Sequence, residues 1–205
     1  VRGISKLDIF NSKSIAAIKI AYPMSLSTLS ISSLESSAIA FFRHSVGFWH
    51  SQRRYYTLNP KIETQTVESF IQIQYLEAGC SELQHLATLH ELDDEQALLG
   101  GTYVTWESNY TGTIRKPSVG STLFGIKDNI LYRDRGFATP KPVTAIYNFT
   151  NPQTMLLKTE YSGSVFEEEL KLIGDQYRTR QTLISRAGQE QMIGQYLEKR
   201  ISGVS

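Results

Sequence analysis

The sequence has a single cysteine, Cys80, in 205 residues. No disulfide can form within one chain, and a reducing compartment is the simplest setting. Neither sign of charge is in excess: 21 Lys and Arg stand against 20 Asp and Glu. A dedicated nucleic-acid binder would carry a strong basic surplus, so that class is set aside. No apolar run approaches the ~20 residues that a membrane helix requires, so no membrane span is expected. Histidine is scarce, and His44, His50, His85 and His90 keep no zinc-ligand spacing with cysteines or carboxylates. No metal is therefore expected. What remains is a chain long enough for one ordinary domain with a real core.

Residues 1–35 read differently from the rest. They are Ser-rich and basic, with only Asp8 and Glu35 as acids, and Ser25–Ser33 is low in complexity. A disordered tail, a plastid-type targeting peptide and upstream sequence preceding a true start at Met24 all fit this composition. The expectation is a disordered, non-catalytic extension over 1–35 and a single β-barrel domain over 36–205, because the first segment is too polar to bury much surface.

From Ser36 the pattern changes. Ser36–Gly47 places Ile39, Phe42 and Val46 at helical spacing, with serines as N-cap and Gly47 as stop, which predicts one short N-terminal α-helix. Strand patterns follow. Ile71, Ile73 and Tyr75 alternate with glutamines, and β-rich segments recur to Met192–Ile201. Turn pairs such as Asp128-Asn129, Ser162-Gly163 and Gly174-Asp175 separate them. Regular strands with turns every ~8–12 residues predict a mainly β fold, an antiparallel barrel or sandwich. Glu82–Glu95 is ambiguous between a helix and a strand pair.

The charges on these strands are informative. In Tyr177–Thr182, Arg178, Arg180 and Thr182 share one face, since strand side chains alternate. Trp49, Ser51, Arg53 and Tyr55 do the same on the first strand. A tightly packed sandwich strand should show one oily face, whereas a strand lining a ligand cavity need not. Paired guanidiniums can hold carboxylates by fork geometry. A strand Arg is nevertheless more often a solvated outer residue, and Trp49 and Trp106 are more often core anchors. Glu167–Glu169 must put at least one carboxylate on each face, and an inward one can act as an acid. Cys80 has no activating neighbour by spacing and reads as an inert thiol.

Several motifs taken in order resemble a known family. Phe41–Arg53 (FFRHSVGFWHSQR), Trp106-Glu107, Leu131–Val143 (LYRDRGFATPKPV), Thr159–Gly163 (TEYSG), Glu167–Leu170 (EEEL) and Tyr177–Thr182 (YRTRQT) are similar to the CpcS/CpeS/CpcU phycobiliprotein lyases. The resemblance runs from about Phe41 to the C-terminus. It implies a lipocalin-like, fatty-acid-binding-protein-like antiparallel β-barrel with a short N-terminal α-helix. The implied substrate is a linear bilin, phycocyanobilin or phycoerythrobilin, with no separate cofactor. The implied acceptor is a cysteine of a phycobiliprotein α or β subunit. Carried over residue by residue, the substrate-binding set is Arg53, Trp106, Arg178, Arg180 and Thr182, with Trp49 as a second stacking plate. The implied catalytic residues are the inward acids Glu160 and Glu168. The implied location is a cyanobacterial cytosol or a plastid stroma.

The chain departs from the family pattern at Arg54-Tyr55-Tyr56 and at Glu169, where the family has Arg, and both departures are expected to touch the pocket. Rival readings are a non-catalytic carrier of bilin or carboxylated lipid, a subunit active only as a heterodimer with a related lyase, and an assembly chaperone that binds the acceptor alone; a homodimer is a further assembly the resemblance leaves open.

Overall fold

The computed structural model describes residues 31–111, 117–186 and 189–202. Helix α1 spans Ile31–Ser45, and strands β1 (Gly47–Thr57) and β2 (Gln65–Glu77) follow. A second helix, α2 (Ser81–Leu89), precedes eight further strands. These are β3 (Gly100–Tyr110), β4 (Ser118–Lys127), β5 (Ile130–Arg133), β6 (Val143–Asn151), β7 (Thr154–Tyr161), β8 (Ser164–Ile173), β9 (Tyr177–Arg186) and β10 (Gln189–Ile201).

Each strand pairs antiparallel with the next in sequence, and β10 returns to β1, which closes the barrel. Closure gives every strand a neighbour on both sides. The expected antiparallel barrel with an N-terminal helix is thereby borne out. The ambiguous segment after Cys80 forms α2, which buries Leu83, Leu86 and Ala87 beside Leu98 and Tyr132 on the barrel's outside. Among the described residues, no helix is long and apolar enough to cross a membrane.

Turn chemistry sets the register. The β7–β8 hairpin turns on Ser162 (φ 50°) and Gly163 (φ 71°), the double positive φ of a two-residue turn matched to strand twist. Gly47, at the α1–β1 junction, has φ 130°, and a Cβ there would lie 2.6 Å from Arg200 Nη1.

Helix α1 begins at Ile31, inside the segment expected to be an extension. The reason is tertiary. Leu34 packs against the core, and the Glu35 carboxylate accepts a 2.7 Å hydrogen bond from the Asp128 backbone N–H. Neither contact is visible to local periodicity. The remainder of the expected extension, residues 1–30, lies outside the described residues.

The helix closes one end of the barrel. Ala38, Phe41 and Phe42 pack on Ile126, Leu131, Tyr147 and Met155, and Phe41 meets Phe149 edge-on at 5.8 Å. Three bonds tie down the carbonyls of its last two residues and of Val46, which follows it. Trp49 Nε1 donates to Ser45 O at 2.9 Å. The Arg200 guanidinium donates to His44 O at 2.7 Å and also to Val46 O. It lies 4.3 Å over the Trp49 ring as well. Trp49 is fully buried in this arrangement. It is a structural anchor and takes no part in lining the cavity.

Candidate ligand cavity

Because side chains alternate along each strand, every second residue enters the barrel. In most small cores those residues are all apolar. Here β1, β8, β9 and β10 send polar ones inward: Ser51 and Arg53, Glu168, Arg178 with Arg180 and Thr182, and Tyr196 with Glu198. They leave a cavity of about 530 Å³, within the ~300–1,000 Å³ range of small-molecule sites. Phe41, Phe42 and Ser45 of α1 form its closed end and are buried. At the other end it is lined by a strap, residues 134–142, in which Arg135, Phe137, Ala138 and Pro140 are exposed. The cavity therefore opens beside the strap.

Two buried carboxylates organise the charge. Glu198 is 1% exposed. Its Oε2 accepts from Arg178 Nε at 2.5 Å and its Oε1 from Ser51 Oγ at 3.1 Å. Ser51 Oγ in turn accepts from Arg53 Nε at 3.2 Å. Burial by itself would push the Glu198 carboxyl up, but Arg178, helped by Arg180 and Arg53, holds it below the usual carboxylate range. Glu168, equally enclosed, accepts from Arg180 Nε at 2.7 Å and also from its Nη2. Thr182 Oγ1 donates to the same oxygen at 3.5 Å. The other oxygen, Oε2, lies 3.9 Å from Arg133 Nη1.

The cations outnumber these acids. Among the described residues, Arg53, Arg133, Arg135, Arg178 and Arg180 line the cavity with only Glu168 and Glu198 opposing them. Among the described residues no carboxylate makes an ion pair with Arg53, and the buried Nε of Arg133 has no hydrogen-bond partner. Burial lowers the pKa of Arg133, with Glu168 opposing that effect. Such a surplus in a low-dielectric cavity suits a ligand that brings its own negative charge. The aromatic side chains Trp106, Phe124, Phe137 and Tyr196 complete the wall. Gly120 of β4, paired with Trp106, leaves the space this indole occupies, since a Cβ there would lie 2.5 Å from Cζ2. Arg53 and Arg180 sit over the Tyr196 ring at 5.4 and 5.2 Å.

The strap gives physical meaning to Arg133–Ala138. Arg133 faces the cavity. Asp134 Oδ1 accepts from Thr122 Oγ1 at 2.7 Å and from the Leu123 N–H at 3.0 Å, fastening the strap to β4. A Cβ at Gly136 would lie 2.8 Å from Thr139 Cγ2 and 2.9 Å from the Tyr161 ring. Phe137 stacks on Phe166 at 4.8 Å and Tyr161 stacks on the same ring at 4.9 Å. The Ala138 N–H donates to the Tyr161 hydroxyl at 2.9 Å.

Of the residues expected from sequence, Arg53, Trp106, Glu168, Arg178 and Arg180 come together around this one cavity. Thr182 stands behind Glu168 as its hydrogen-bond donor. Glu160 does not join them. It follows the inward Thr159 on β7, so alternation turns it outward, where it is 58% exposed and paired with Lys158 at 2.5 Å. The departures from the family pattern are also mostly outside. Arg54 and Glu169 face solvent, and only Tyr55 of that group lines the cavity. Cys80 is half-buried at the start of α2 and does not line the cavity.

Glu198, Arg133 and Tyr196 were not singled out in the sequence. The signal for Glu198 was its alternation with Tyr196 and Arg200, which shares the inward phase of the opposing Arg178.

The family model described as CpeS-like protein matches residues 37–201. A candidate phycocyanobilin lyase, CpcS 2, of Nostoc sp. (strain PCC 7120) is 64% identical over 167 residues, covering 82% of this chain and 92% of that protein. A candidate chromophore lyase, CpcV, of Picosynechococcus sp. (strain PCC 7002) is 52% identical over 166 residues, covering 81% of this chain and 82% of the other. The S-type phycobiliprotein lyase of Guillardia theta superposes with a TM-score of 0.68 at 19% identity, over 86% of this chain and 96% of that one, and so shares the fold.

Proposed function

The chain belongs to the CpeS-like family and is a chromophore lyase acting in bilin attachment, and we propose that it works by holding one linear tetrapyrrole in the barrel cavity and presenting it to a phycobiliprotein cysteine. Phycocyanobilin is the bilin we assign, on the name carried by the 64% identical relative. The observation that carries the reading is the cavity's charge pattern: two carboxylates, each held by an arginine, under a surplus of guanidiniums, beside an aromatic wall. That pattern complements a flat, conjugated molecule with two carboxylates and several ring N–H groups.

Arg53 and Arg133 bind the propionates, together with the N–H groups that Arg178 and Arg180 do not use on their glutamates. Each guanidinium has five N–H donors, and a charge-assisted hydrogen bond contributes roughly 1.5–3 kcal/mol. Trp106 stacks on the rings. Glu168, whose Oε2 has only the distant Arg133 contact, accepts from pyrrole N–H groups and stabilises the protonated bilin. Glu198 stays anionic and keeps Arg178 and Ser51 in place.

Attachment is an addition. The acceptor thiolate forms an S–C bond to the ethylidene side chain of the terminal ring, the C=C π bond is lost, and a proton equivalent to the thiol's ends on the tetrapyrrole. No oxidant or reductant is consumed. Protonating the conjugated system makes the ethylidene more electrophilic, and one held conformer supplies the orientation contribution. The chain's own residues hold, shape and activate, while the acceptor supplies the nucleophile.

Reconstitution tests this reading. Purified protein, phycocyanobilin and an apo phycobiliprotein subunit are mixed, and the covalent adduct is followed by its absorbance and by zinc-stained bands. Faster formation of an adduct with native absorbance than without the protein is expected. Bound bilin with no gain in rate or product purity would instead indicate a carrier.

A further inference from the structure

The cavity explains how a ligand is held but not how an acceptor protein finds it. The barrel's two ends differ in this respect. Successive strands alternate in direction, so the β1–β2 loop, the start of β4, the strap and the start of β10 all lie at the end opposite α1. Five exposed apolar side chains fall there: Leu58 (66%), Ile62, Val119 (76%), Phe137 and Met192. Exposed apolar residues also occur on the side wall, as Ile146, and at the helix end, as Ile173. Among the described residues, only at the open end does such a surface adjoin the cavity. Phe137 belongs to both, being a large exposed apolar residue that also lines the cavity.

We infer that this rim, centred on Leu58, Ile62, Val119 and Phe137, is the surface on which the acceptor subunit docks. The inference rests on the lyase reading above. A ligand enclosed by barrel walls and capped by α1 is reachable by a foreign thiol only past the strap, so the acceptor must cover this end during transfer. Apolar side chains ringed by charge are what a transient protein interface presents. A second copy of the chain fits the same surface poorly. In an isologous contact the patch meets itself, and among the described residues the rim carries Lys61, Arg135, Lys141 and Arg186 against Glu63 and Asp134. Asp134 and Arg135 pair at 3.2 Å, which leaves Lys61, Lys141 and Arg186 against Glu63. Self-association would bring like charges together, whereas an acidic acceptor face would be attracted.

The test uses Leu58→Asp and Val119→Asp, two exposed positions that do not line the cavity, with Ile146→Asp on the side wall as control. Bilin affinity is read by absorbance titration, and adduct formation is followed against acceptor concentration. The rim variants should bind phycocyanobilin as the wild type does while the KM for the acceptor rises about tenfold or more. Ile146→Asp should change neither. Wild-type KM in both rim variants would overturn the docking surface while leaving the lyase reading intact. A rim variant that shifts the free protein from dimer to monomer in sedimentation would reassign the surface to self-association. Failure of the wild type to bind any bilin would overturn the lyase reading itself.

Discussion

Arg178 and Glu198 stand directly opposite each other on β9 and β10, and their side chains close a 2.5 Å ion pair inside the barrel. Both are almost wholly removed from water. Removing either charge leaves the other buried without compensation, at a cost of roughly 3–5 kcal/mol. Arg178→Ala should therefore unfold at markedly lower denaturant. Replacing both members together, as in Arg178→Met with Glu198→Leu, should recover much of that loss. A denaturation cycle over the four proteins measures the coupling, and additivity of the single changes would deny it.

The same pair imposes a pH dependence. The Glu198 carboxyl is held low in the folded protein, below the ~4.3 of a free glutamate. A group depressed in this way stabilises the fold above its unfolded pKa, and that contribution disappears as pH falls through the folded value. Wild type should exceed Glu198→Gln in stability by its full margin at neutral pH. The margin should narrow steadily below about pH 4. Thermal melts across that range report it, and a constant margin would contradict the assignment.

Arg53 is the cleanest probe of ligand binding, because it is only half-buried and makes no ion pair with a described carboxylate. Arg53→Ala should leave the melting temperature close to wild type. It should weaken bilin binding by about 10- to 100-fold, the loss of one charge-assisted contact of roughly 1.5–3 kcal/mol. Spectroscopic titration gives the affinity. Unchanged affinity would remove Arg53 from the propionate site.

Glu168→Gln separates activation from binding. It keeps the shape but not the charge that favours protonated bilin, so bound bilin should lose the red-shifted absorbance of the protonated form. Adduct formation should slow by about 10²-fold, the low end for a general acid–base group. Glu160→Gln, on the outer face beside Lys158, should transfer at the wild-type rate. Equal losses in both variants would mean that Glu168 has no special role.

Cys80→Ser should also transfer normally, because that thiol lies outside the cavity lining. Loss of transfer in a folded Cys80→Ser protein would reveal a covalent lyase–bilin intermediate.

The sequence by itself determined the strands. Period-two alternation and turn pairs such as Ser162-Gly163 are local properties, and they are enough to bring Arg178, Arg180 and Thr182 to one face, and Ser51 and Arg53 to another. They also require that one of three consecutive glutamates point inward. Closure of the barrel decided the rest, because it determines which face becomes the inside and which residues meet across it. Glu160 and Glu168 are both strand carboxylates in the sequence. Only the phase of β7 relative to its neighbours puts one in solvent and the other against Arg180. The partnership of Arg178 with Glu198, the start of α1 at Ile31 and the retirement of Trp49 into the helix anchor likewise depend on contacts between residues far apart in the chain. Such contacts carry no local periodicity, so only the folded barrel assigns them.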